Sequence, residues 1–189
     1  MTTYTIPDFG PSDLLTSDKE EFRRVKVDIA QTSFFAGREF RSFYELNIAA
    51  GATLVIRFSA PIDFILASQS LVIDSGTVRL VVAVAGTPSG TFGVALPVIP
   101  RNAMVGALSR QLPYYSSQVT VAAGGVHTGG VVREVIRLKS AGATAQRNTV
   151  GAAVGTERGL PAGDYYIRIE NIGTGAVTGV YTIEWEERP

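Results

Sequence analysis

Residues 39–48 read EFRSFYELNI, and their side chains sort into two sets. Phe40, Tyr44, Leu46 and Ile48 fall on one side, and Glu39, Arg41, Glu45 and Asn47 on the other. Successive side chains of an extended chain point to opposite faces, so this period of two predicts a strand with one face buried. The same alternation recurs on both sides of it. Val25, Val27 and Ile29 oppose Arg24, Lys26 and Asp28; Leu54, Ile56 and Phe58 oppose Thr53, Val55 and Arg57. Val78, Leu80, Val82 and Val84 alternate with Thr77, Arg79, Val81 and Ala83. Near the C-terminus, Tyr165, Ile167 and Ile169 oppose Tyr166, Arg168 and Glu170, and Tyr181, Ile183 and Trp185 oppose Thr182, Glu184 and Glu186. The 21 valines suit such pleated, half-buried surfaces. No ten-residue stretch keeps a helical period, and residues 18–24 allow only one short turn with Asp18 as its cap.

Glycine-bearing turns separate the runs, at 50–51, 74–76, 85–88, 124–125, 129–130 and 173–175. About eight or nine strands joined by unequal loops predict an all-β, two-sheet antiparallel sandwich of jelly-roll type. An immunoglobulin-like sandwich and a closed barrel are the alternatives. Residues 1–21 read as an extended N-terminal arm, mildly acidic yet carrying Tyr4, Ile6, Phe9, Leu14 and Leu15, with Pro7 and Pro11 as breakers. Such an arm is too apolar for a solvated tail and is expected to lie on its own domain or a neighbour. Residues 22–189 then form a single domain. Within it, 86–117 and 139–163 read as two long irregular connections, of the kind that contact a partner.

Composition narrows the function mainly by exclusion. The 189 residues are 46% hydrophobic and only 18% charged, against a usual charged share of about 25%. Seventeen basic and seventeen acidic side chains cancel, which argues against nucleic-acid binding by bulk charge. With no cysteine there are no disulfides, thiolate metal sites or cysteine nucleophiles. The start, MTTYTIPDFG, lacks the basic and apolar regions of a secretory signal. Apolar runs such as 80–85 are far shorter than the roughly 20 residues that span a bilayer, so no membrane partner is expected.

A search for chemistry finds little. Gly173-Thr-Gly-Ala-Val-Thr-Gly179 mimics a phosphate loop, but it lies between two strands and has no helix N-terminus, so a tight hairpin is the better reading. His127, the single histidine, sits in Gly124-Gly-Val-His-Thr-Gly-Gly130, which reads as a flexible loop that would hold a catalytic base poorly. Adjacent acids such as Glu20/Glu21 and Glu186/Glu187 would point to opposite faces of a strand. Asp63, Asp74 and Asp164 sit at strand ends, where calcium could bind, but local turn chemistry accounts for them better. No catalytic residue, cofactor or metal is therefore predicted, and the chain reads as a non-enzyme. The aromatics Phe34, Phe35, Phe40, Phe43 and Tyr44 suit core packing and a subunit interface. Tyr114 and Tyr115 form an exposed pair suited to a protein partner or a glycan.

Two stretches resemble small structural proteins encoded by tailed bacteriophages. Residues 32–76 read TSFFAGREFRSFYELNIAAGATLVIRFSAPIDFILASQSLVIDSG, and residues 141–188 read AGATAQRNTVGAAVGTERGLPAGDYYIRIENIGTGAVTGVYTIEWEER. The resemblance implies a virion component of β-sandwich type, assembled in the host cytoplasm. Its leading form is a capsid decoration, or cement, protein that sits as a homotrimer on the major capsid protein and bridges capsomers. A tail or baseplate adaptor or fibre-attachment protein is the alternative, and a carbohydrate-binding module for host glycans the next. On this reading Tyr4, Ile6 and Phe9 of the arm and Tyr114 and Tyr115 of the long connection are the expected partner contacts.

Overall fold

The computed structural model describes residues 34, 36–102, 116–140, 146–151 and 158–188. The chain divides into Met1–Ala30, outside the described residues, and Gln31–Pro189. The arm at 1–21 and the alternating run at 23–29 thus both fall outside.

The described residues form an all-β sandwich. Its eight principal strands are β1 (Glu39–Ile48), β2 (Thr53–Ala60), β3 (Phe64–Ile73), β4 (Thr77–Val84), β10 (Val131–Lys139), β11 (Gln146–Gly151), β13 (Gly163–Asn171) and β14 (Val177–Glu187). One sheet runs β11-β3-β14-β1 and the other β10-β4-β13-β2, all pairings antiparallel. Each chain step from β1 to β4 crosses from one sheet to the other, and the steps from β10 to β14 do so again. Only β4 to β10 stays within a sheet. That order is the jelly roll. The alternation legible in the sequence explains the core: inward residues of β1, β3 and β14 (Phe40, Leu46, Ile48, Leu71, Ile73, Tyr181, Ile183, Trp185) meet those of β2, β4 and β13 (Ile56, Phe58, Val78, Leu80, Ile167, Ile169). Trp185 is fully enclosed, edge-on to Phe58 at 5.1 Å between centroids and stacked near Phe40 at 6.0 Å. Each large side chain buried this way stabilises the fold by roughly 1.5–3 kcal/mol.

The β4–β10 connection, residues 85–130, is not the irregular loop expected at 86–117. It carries β5 (Thr87–Ser89), β6 (Val94–Ala95), β7 (Ile99–Pro100), β8 (Thr120–Ala123) and β9 (Val126–Thr128). β5 pairs with β9 in a short ribbon, β8 and β6 extend the second sheet beyond β2, and β7 pairs with β1 in the first. The insertion therefore leaves one edge of the sandwich, crosses the outside of the β2 sheet and closes the opposite edge. Val55, Val81, Ala83 and Tyr166, which face outward, are nonetheless buried, with His127 and Phe92 lying on Tyr166. The 139–163 connection holds β11 and β12 (Arg158–Leu160), both paired with β3.

A second expectation is also corrected. β13 and β14 belong to different sheets, so 172–176 is an arch between sheets and not a tight hairpin. Buried Asn171 ties it down. Its Nδ2 donates to the carbonyls of Ile48, Ala49 and Gly175 at 2.8–3.0 Å, and its Oδ1 accepts from the Gly173 amide at 2.9 Å. Gly179, the last glycine of the presumed phosphate-loop mimic, is a strand residue in close backbone contact. A Cβ there would stand 2.1 Å from the Val72 carbonyl oxygen.

Candidate functional site

The described groups with the greatest chemical reach gather on the outer face of the β2 sheet. The strap formed by 85–130 bends twice at matched levels. Ala85 and Gly86 (φ 59° and 89°) face Gly129 and Gly130 (φ 69° and 85°), all in the left-handed region. His127 sits at this bend in β9, and the flexible-loop reading fails: it is buried, at 3% exposure. Its ring lies flat on Tyr166, with centroids 4.0 Å apart and planes 8° apart. Nε2 is 2.6 Å from the Ala85 carbonyl oxygen. A carbonyl only accepts, so Nε2 carries a proton and donates. Nδ1 is buried and finds no partner. A Cβ on Gly86 would come within 2.6 Å of Nε2, which is why a glycine closes the clasp. Beside it Phe92 packs on Tyr166 at 6.2 Å, and the Arg57 guanidinium lies over the Phe92 ring at 5.0 Å.

A histidine poised for proton transfer has a carboxylate or water-exposed substrate position on its second nitrogen. His127 has neither. The nearest acid of this face, Asp164, accepts from Ser59 Oγ at 2.5 Å and from the Tyr166 hydroxyl. Burial first, then the Asp164 charge and this bond, raise the Tyr166 pKa above its ordinary value. The remaining acids considered for calcium are dispersed. Asp63 Oδ1 accepts the Ala162 amide at 2.9 Å, Asp164 lies on the next strand's outer face, and the Asp74 carbonyl accepts from Ser140 Oγ at 3.0 Å at the far turn. Among the described residues no group of three or more His, Asp or Glu is placed to hold a metal ion.

The adjacent acids Glu186 and Glu187, which sequence reasoning takes for solvated charge, are both buried, and the role of Glu187 is one it missed. Its side chain is fully enclosed, and its carboxylate accepts from Ser117 Oγ, from the Gln118 amide at 3.0 Å and from Trp185 Nε1 at 3.2 Å. It fastens the strap, just ahead of β8, to the last strand. The signal available was a run of acids continuing past an alternating strand into Glu186-Glu187-Arg188, but nothing in it says which acid turns inward. Phe40 is in the core as expected, whereas Phe43 is exposed on the outer face of the β1 sheet. The expected partner contacts Tyr4, Ile6, Phe9, Tyr114 and Tyr115 all lie outside the described residues. Among the described residues no helix is long and apolar enough to cross a membrane.

No protein-family model matches the chain, and no curated protein matches it in sequence. Among solved structures it is compared with the VP2 protein of infectious bursal disease virus in derived T=1 particles. A mutant VP2 is 12% identical over 80% of this chain and 40% of that one, with a TM-score of 0.18. A second VP2 structure is 13% identical over 79% and 40%, with a TM-score of 0.13. The chain spans about two fifths of VP2, and similarity at this level carries no argument about its own role.

Proposed function

We propose that this protein is a structural, non-catalytic virion component of a tailed bacteriophage, and that it decorates the capsid as a cement protein. One observation carries the reading beyond the resemblance of residues 32–76 and 141–188. The described side chains best equipped for chemistry are each committed to fastening this jelly roll to itself. His127 clasps the strap, Glu187 anchors it ahead of β8, Asn171 ties the arches, and Asp63 and Asp164 hold turns and strand ends. A scaffold fastened in this way suits a protein that must persist on a particle and act through contacts shared with many neighbours. On this reading it assembles as a homotrimer at local three-fold positions of the lattice, with residues 1–21 ordered by a neighbouring subunit.

Immunogold labelling of virions tests the placement, and deletion of the gene tests the role. Label over the head, and deletion heads that lose DNA on heating or in low salt, are the expected results. Label at the tail tip with heads of normal stability would replace this reading with the adaptor or fibre-attachment one. Glycan-array binding lost on Tyr114→Ala, Tyr115→Ala substitution would replace it with the carbohydrate-binding one.

A further inference from the structure

The strap that seals the outer face of the β2 sheet stops short of its edge strand, β10. Val132 and Val135 stand in register with Ala83 and Val81, which are buried, yet they remain 48% and 54% exposed. Further along the same outward row come Arg137 and Lys139, in register with Arg79 and Thr77 and both exposed. The surface is therefore half apolar and half cationic along one strand.

Its charge is uncompensated. Arg79 is paired with Glu170 at 2.5 Å, which leaves Arg137 directly across from a like charge whose carboxylate is already taken. Like charges opposed across a ladder are unfavourable, so nothing in the fold itself accounts for Arg137 there. Arg137 and Lys139 form no ion pair among the described residues. In the adjacent row, Arg168 has its Nε buried with no hydrogen-bond partner. A chain of zero net charge thus concentrates cations that find no ion pair among the described residues beside two exposed valines.

β10 is also guarded against pairing with another strand. A register shift between Val132 and Glu134 bulges it, and Glu134, at an inward position in register with Val82, is a charge of the kind that blocks edge-to-edge addition. Contact with this region must then be made through outward side chains and not through backbone augmentation.

We infer that Val132, Val135, Arg137 and Lys139 form a docking surface for an acidic protein surface that presents an apolar recess. Charge complementarity selects the acidic partner, and the valines supply the desolvated contact that pure charge attraction lacks. The inference deepens the proposed function, since it rests on that reading for the identity of the particle. It assigns the face through which the sandwich meets its lattice.

The test adds purified full-length protein to heads from phage lacking the gene and measures retention by sedimentation between about 50 and 300 mM NaCl. Wild-type retention is expected to weaken as salt rises. An R137E/K139E variant should bind about tenfold more weakly at low salt and lose most of the salt dependence. A V132S/V135S variant should bind about tenfold more weakly with the salt dependence intact. All four positions are exposed, so both variants should keep the wild-type melting temperature. Retention of either variant at the wild-type level would overturn the surface. If only the charge reversal matters, the contact is with a simple polyanion such as leaked DNA, and the inference also falls. Wild-type binding to isolated tails instead of heads would sink the decoration reading alone. The same variants would then be compared on tails, where equal binding would overturn the surface as well. Binding to neither particle defeats both.

Discussion

His127 shows how much a single side chain can hold when it sits at a fold's strained point. Replacing it with alanine removes the ring stacked on Tyr166 and leaves the Ala85 carbonyl without its donor, at a bend where Ala85 itself adopts φ 59°. We expect His127→Ala to lower stability by about 2–3 kcal/mol. Chemical denaturation should show this, together with earlier proteolysis within 86–128. An unchanged midpoint would mean the clasp is not where the strap is held. Tyr181 makes the opposite kind of contribution. It is fully buried in the core and its hydroxyl has no partner. Burial first, then the Glu134 charge, hold its pKa well above the ordinary value of 10.0. A raised value keeps the folded state protonated where the unfolded chain is not, so this stability is complete below pH about 10 and drains away as pH rises further. Tyr181→Phe should therefore move alkaline unfolding to higher pH while leaving neutral-pH stability equal or slightly greater. An alkaline limb identical to wild type would show that Tyr181 does not govern it. Tyr165 and Tyr166, both raised mainly by burial, should sustain the residual slope.

Strands buried on one face were readable from their letters. β1 at 39–48 matches its alternating run end to end, because one-sided burial writes itself as a period of two. β4 at 77–84 keeps the bounds of its run although its outward Val81 and Ala83 are buried as well. β3 (FILASQSLVI) escapes that test. Gln69 occupies an inward position, and a register shift opposite Glu184/Trp185 breaks the alternation between Phe64 and the 69–73 half. β5, β8 and β9 are too short to show any period, and the glycine pairs around them look like slack when they are in fact packed bends. The arch at 172–176 was misread because turn residues report a reversal of the chain without saying which sheet receives it. Glu187 belongs to the same class, since its inward turn depends on Ser117 and Gln118, about seventy positions earlier. Glu187→Ala would leave those two donors and the Trp185 indole without an acceptor in an enclosed site. We expect a loss of about 3 kcal/mol. Glu187→Gln keeps one acceptor oxygen and should lose less. Equal losses for the two substitutions would show that packing, not hydrogen bonding, fixes the strap there.

The chain order of a jelly roll places its last strand at the centre. β14 lies between β1 and β3 and pairs with both along nearly its whole length. It also brings Trp185 against Phe40 and Phe58, Tyr181 and Ile183 into the core, and Glu187 to the strap. The first sheet is therefore split into two unconnected halves until β14 arrives, each with a bare edge and an uncovered apolar face. Pairings this distant in sequence are costly to close and are repaid only when complete, which places folding in the millisecond-to-second range of β-sandwiches. A chain ending before Val177 should accordingly fail to fold, whatever stability its other strands contribute. Loss of the cooperative thermal transition, rapid digestion across 39–171 and dye binding to exposed apolar surface are the expected results. A truncated chain that still melts cooperatively would require a sandwich able to close without its central strand. For a protein proposed to assemble on a particle, the late closure has a further consequence: no subunit can offer its β10 surface on a finished fold before β14 has left the ribosome.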